Sequence, residues 1–74
     1  SKLWEKSLAA IQKEDFSKAD EHLSKLLKIS PYDTNYLYKA GIVKLRLGYF
    51  DKSLELLESA RRKAPDDDHM LMYY

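Results

Sequence analysis

Residues 34–65, TNYLYKAGIVKLRLGYFDKSLELLESARRKAP, hold two helical patterns separated by a single glycine and closed by a proline. Between Thr34 and Leu47 the apolar residues Tyr36, Leu37, Tyr38, Ala40, Ile42, Val43, Leu45 and Leu47 run nearly all round a helix. A helix apolar on every side is expected to have neighbours on both sides. Asp33 or Thr34 is placed to cap it, and Gly48 suits the left-handed position at which helices end. The next pattern, Phe50 to Lys63, sets Phe50, Leu54, Leu57 and Ala60 on one stripe that is expected to face inward. Ala64-Pro65 ends it, because proline lacks an N–H and pushes the preceding residue out of the helical region.

Upstream the same grammar recurs. Residues 2–13 carry Leu3, Trp4, Leu8 and Ile11 at helical spacing, Glu14-Asp15 forms a short turn, and Asp15 is the expected N-cap of a second helix. That helix, Phe16 to Ile29, aligns Phe16, Ala19, Leu23, Leu26 and Leu27 on one stripe before Ser30-Pro31-Tyr32-Asp33 stops it. Pro31 and Pro65 are 34 residues apart. The same shift pairs Leu3 with Leu37, Phe16 with Phe50, Lys18 with Lys52, Glu21 with Glu55, Leu23 with Leu57, Asp33 with Asp67 and Leu37 with Leu71. Identity at this offset is about twice what composition alone supplies, and it falls mainly at apolar and turn positions, as a structural repeat requires. The Asp66–Asp68 run favours the positive end of one more helix, which His69 to Tyr74 would begin. The expected organisation is one all-α domain over 1–74, with repeat 1 at 1–33, repeat 2 at 34–67, and a partial repeat or capping helix at 68–74. Connections this short make neighbouring helices antiparallel.

Composition narrows the function classes. Hydrophobic residues make up 45% and charged residues 34%, a mixture that folds. Thirteen basic and 12 acidic side chains leave a net charge of +1, which provides no general field for nucleic acid or an anionic membrane. The absence of cysteine excludes a disulfide framework and thiolate metal sites. No apolar run reaches membrane-spanning length and no signal peptide is read. The compartment is left open, with the cytoplasm as a default beside periplasmic and organellar homes.

The residues resemble the tetratricopeptide repeat, whose 34-residue helix–turn–helix unit carries the pattern Trp-x2-Leu-Gly-x2-Tyr, then Ala-x3-Phe, then Pro. The second period follows it through Leu37-x2-Ala40-Gly41, Gly48-Tyr49-Phe50, Ser53-x3-Leu57, Ala60 and Pro65. The first is looser, with Leu3-x2-Lys6-Ser7, Asp15-Phe16, Ala19-x3-Leu23, Leu26 and Pro31. The resemblance implies antiparallel hairpins stacked as a short right-handed α-solenoid. Ser7, Ala19, Gly41 and Ser53 are then small because paired helices approach closely there, and Phe16 and Phe50 fill the wedge between helices. Departures from the pattern carry their own expectations. Lys6 in place of an apolar residue marks a solvated end or a face with no preceding repeat. Leu26 is bulkier than the family's alanine, so the repeats would pack wider there. The terminal Met70-Leu71-Met72-Tyr73-Tyr74 is a poor polar cap.

In that family the first helix of each hairpin lines a concave face that grips an extended peptide or a helix. Carried onto this chain, the partner-binding residues are Trp4, Leu8, Ile11 and Gln12, then Asn35, Tyr38, Lys39, Ile42, Leu45 and Arg46, then His69, Met72 and Tyr73. Residues four apart share a face, so Trp4/Leu8 and Tyr38/Ile42 are expected to form parallel ridges. One subfamily holds the carboxyl termini of heat-shock chaperones with a basic clamp. The matching positions, Trp4, Leu8, Lys39, His69 and Tyr73, offer one permanent cation, so that mode is rejected. The expected ligand is another protein or peptide presenting an amphipathic helix or an aromatic-containing segment. Self-association is the alternative, since two repeats and an apolar end leave surface to cover.

No catalytic, metal or cofactor constellation is read. His22 and His69 lack a second histidine at i+4. Asp66–Asp68 lacks the spaced ligands of a calcium loop, and Arg61-Arg62-Lys63 sits where cations oppose a helix dipole. There is no Gly-rich phosphate loop and no serine in a nucleophile elbow.

Overall fold

The first three helices each start at a named capping side chain. The computed structural model describes residues 1–63 of the 74-residue chain. It contains α1 (Lys2–Gln12), α2 (Phe16–Ile29), α3 (Thr34–Leu47) and α4 (Phe50–Lys63), and no strand among the described residues. The expected breaks at Ala64 and Pro65, the cap at Asp66–Asp68 and the partial helix at 68–74 lie outside the described residues. Ser1 Oγ accepts from the Trp4 amide at 3.2 Å, Asp15 Oδ1 from Lys18 at 3.3 Å and Asp33 Oδ1 from Tyr36 at 3.2 Å. Each cap satisfies an amide that the helix itself cannot, worth about 1 kcal/mol. Of the two candidate caps of α3, Asp33 takes the role.

The turns inside the two hairpins match in detail. At the end of α1, Glu14 N–H donates to the Ile11 carbonyl at 2.9 Å and Asp15 N–H to Ala10 at 2.8 Å. Thirty-four residues on, Gly48 N–H donates to Leu45 at 3.0 Å and Tyr49 N–H to Lys44 at 2.9 Å. Both are the paired bonds of a Schellman-type ending, which needs one left-handed residue. That residue is Gly48 at φ 88° and Glu14 at φ 61°. The left-handed turn ends α1 at Gln12, one residue before the expected end. The starts of α2 and α4 also differ by the same offset, Phe16 to Phe50.

Small residues set the separation of the paired helices. Ser7, Ala19, Gly41 and Ser53 are all buried. Ser53 Oγ donates to the Gly41 carbonyl at 2.7 Å across α3 and α4, while Ser7 Oγ turns back to the Trp4 carbonyl at 2.7 Å. A Cβ at Gly41 would stand 2.7 Å from Leu57 Cγ, so glycine is what admits α4 to this distance.

Each helix packs on its neighbour in the chain, and α3 lies between α2 and α4. The core joins Ala10, Ala19, Leu23 and Leu26 to Ala40 and Val43, with Leu37 and Ala60 extending it beneath α4. Lys44 Nζ clamps α3 to α2 through Asp20 Oδ1 at 3.0 Å. Lys6 is exposed whereas its counterpart Ala40 is buried, because no described element lies on the outer side of α1.

Two expectations are corrected on α4. Phe50 and Leu54 do not face inward; they are 66% and 59% exposed. α4 meets α3 through Ser53, Leu56 and Ala60, which turns Phe50 and Leu54 away. Their counterparts on α2, Phe16 and Asp20, are sheltered because Arg46 and Lys44 of α3 reach over them. Among the described residues no helix does this for α4. Phe16 fills its wedge as expected and packs against the core, but Phe50 does not.

Candidate partner-binding face

The residues expected to meet a partner fall on matching sides of α1 and α3. Trp4, Leu8, Ile11 and Gln12 become Tyr38, Ile42, Leu45 and Arg46 when shifted by one period, and each set spans successive turns of its helix. Neither helix buries this side fully. Leu8 is 36% and Leu45 48% exposed, while Trp4, Ile11, Tyr38, Lys39 and Ile42 are half-buried. Gln12, Asn35 and Arg46 are exposed. The stripe therefore combines partly covered aromatic and aliphatic anchors with polar edges, the composition that dominates binding energy at protein interfaces. His69, Met72 and Tyr73, expected to extend it, lie outside the described residues.

The half-burial of Trp4 has an origin that spacing alone does not reveal. Its indole packs on Tyr36, with centroids 5.3 Å apart and planes at 41°. This tilted pair ties α1 to α3 and fixes the two rings against each other. Tyr36 is thus a supporting residue of the face that sequence reasoning missed. Its position as one more aromatic on the first turn of α3 was visible, but the stagger that brings it to Trp4, in place of Tyr38, was not. Arg46 is held in a similar way, its guanidinium 5.7 Å from the Phe16 ring. The basic edge of the face therefore leans toward the start of α2.

Other depressions are lined by different residues. One of about 340 Å³ lies by Leu3, Leu26, Ile29 and Tyr36, and one of about 450 Å³ lies between the outer sides of α1 and α2. Among the described residues no group of three His, Asp or Glu side chains gathers as a metal would need, and no helix is long and apolar enough to cross a membrane. When the chain is compared with known proteins, no family model matches it and no solved structure matches it.

Proposed function

We propose that this chain is a protein-interaction module, built from two tetratricopeptide-type hairpins stacked as a short right-handed α-solenoid, and that it has no catalytic role. The α1/α3 face grips a peptide or helix of a partner protein. The observation that carries this reading is the repetition of one apolar stripe on two helices a period apart, with Leu8 and Leu45 left 36% and 48% exposed. Side chains of this kind, rimmed by Gln12, Asn35, Lys39 and Arg46, suit the apolar side of an amphipathic helix. Affinity capture from cell extract with the intact protein, repeated with Tyr38→Ala/Ile42→Lys, tests it. The double variant loses the partner while its helicity is unchanged. Capture that survives in a folded double variant removes the reading.

A second reading rests on α4. Phe50 and Leu54, with Tyr49 beside them, form an exposed apolar patch of the kind that a second copy covers. Sedimentation at rising concentration would show association that Leu54→Lys abolishes, whereas a monomer at every concentration excludes it.

A further inference from the structure

The crevice on the outer sides of α1 and α2 has a counterpart one period along the chain, and the comparison assigns it a ligand. Its walls are Lys6 of α1, Lys13 just past its end, and Lys18 and His22 of α2, over a floor of Ala9 and Ala10, and its volume is about 450 Å³. Shifted by one period, Lys6, Ala9, Lys13 and His22 become Ala40, Val43, Leu47 and Leu56. In the second hairpin that trough is filled by a helix: Leu23, Leu26 and Leu27 of α2 share one cluster with Ala40, Val43, Leu47 and Leu56. The first hairpin thus repeats a helix-accepting shape with its chemistry changed. Three apolar positions have become Lys6, Lys13 and His22, while Lys18 matches Lys52. The carboxylate among these residues, Asp15, is already engaged as the cap of α2. His22 Nδ1 is buried here with no hydrogen-bond partner, at the position where the second hairpin has leucine. Nothing here suits a second leucine ridge, since seating one would strip water from ammonium groups without pairing them.

We propose that this trough docks an acidic amphipathic helix of another protein. Small apolar side chains of that helix rest on Ala9 and Ala10, and its carboxylates reach Lys6, Lys13 and Lys18. Lys6 on α1 and Lys13, the residue at its C-terminal cap, stand about two turns apart, about 10 Å, so acids two turns apart on the ligand meet both. Lys18 closes the opposite wall. The site lies on the far side of α1 from Trp4, Leu8 and Ile11, so it stands or falls separately from the α1/α3 face.

The test uses the intact chain and three capped helical peptides of one Ala/Leu framework. The first carries glutamates two turns apart, and the second and third carry glutamine or lysine at those places. Binding is read by fluorescence anisotropy at low salt and at about 0.3 M salt, where exposed charge pairs are largely screened. The glutamate peptide binds about 10-fold more tightly than the glutamine peptide, the lysine peptide does not bind, and salt erases the difference. Lys6→Gln/Lys13→Gln/Lys18→Gln, all at exposed positions, removes the preference, each lysine accounting for about 2-fold. Lys6→Ala/Lys13→Leu/His22→Leu, which writes the second hairpin's residues into the first, shifts preference to a peptide of the α2 sequence. Equal binding of the glutamate and glutamine peptides to the unaltered chain overturns the proposal. So does glutamate binding that persists in the folded triple glutamine variant. Displacement of the glutamate peptide by a short RNA duplex or by phosphatidylserine vesicles at equal charge also overturns it, because the trough would then be a general polyanion patch.

Discussion

Gly41→Ala places a methyl group where α3 and α4 meet most closely. An ideal Cβ there is 2.7 Å from both Leu57 Cγ and Leu57 Cδ2, against about 3.5–4.0 Å for ordinary carbon contact. Leu57 cannot move away by rotating its tip alone, since its Cγ is also too close, so α4 must shift or Leu57 must leave its rotamer. Overpacking of this kind costs about 1–3 kcal/mol. A shift of α4 also stretches the 2.7 Å bond from Ser53 Oγ to the Gly41 carbonyl, worth about 0.5–1.5 kcal/mol. Against this, alanine is about 1 kcal/mol better than glycine inside a helix. The expected net loss is about 1.5–2 kcal/mol, or a fall in Tm of about 10 °C for a domain of this size. Urea and thermal unfolding followed by circular dichroism would measure it. Ser7 provides the control, because it occupies the equivalent position and already carries a Cβ. Ser7→Gly should therefore destabilise by about 0.5–1 kcal/mol, so that removing a Cβ at 7 and adding one at 41 act in the same direction. A Gly41→Ala protein as stable as the parent, or more so, would refute the close approach.

Leu23→Ala should cost about 2–5 kcal/mol, since Leu23 is fully buried where α2 meets α1 and α3, whereas Leu54→Ala should stay within about 0.5 kcal/mol of the parent; chemical denaturation of both variants checks the contrast. Glu14→Gly should stabilise the first hairpin by about 0.5–1 kcal/mol, because Glu14 holds the left-handed conformation that Gly48 holds in the second, and a rise in urea midpoint at constant slope would show it. Asp20→Asn should cost under about 1 kcal/mol and the loss should shrink with added salt, because the Lys44–Asp20 pair is only partly shielded from water.

The helices were legible because their punctuation is unambiguous. Asp15, Asp33, Gly48 and the proline after Ser30 act locally, through hydrogen bonds and backbone angles that depend on a few neighbouring residues. The limits of α2 and α3 and the start of α4 accordingly fall where capping and stripe patterns put them. The close-approach residues were readable from the family resemblance for the same reason, as small side chains at one fixed offset. Phe50 and Leu54 were misread because periodicity tells which residues share a stripe, and not whether another element covers that stripe. The Trp4–Tyr36 pair and the Lys44–Asp20 bridge depend on the stagger between neighbouring helices, which no local pattern encodes. The basic trough was hidden for a third reason. Lys6, Lys13, Lys18 and His22 look like ordinary solvated residues until the two hairpins are laid over each other and the apolar counterparts come into view.

Site-specific photo-crosslinking tests the interaction reading most directly. A photoreactive residue is placed singly at Leu8, at Leu45 and at the exposed Lys25 of the intact protein, and adducts formed in cell extract are identified by mass spectrometry. The account predicts that positions 8 and 45 label the same segment of the same partner, and that position 25 does not. Labelling that is absent at 8 and 45, or no stronger there than at 25, would contradict it.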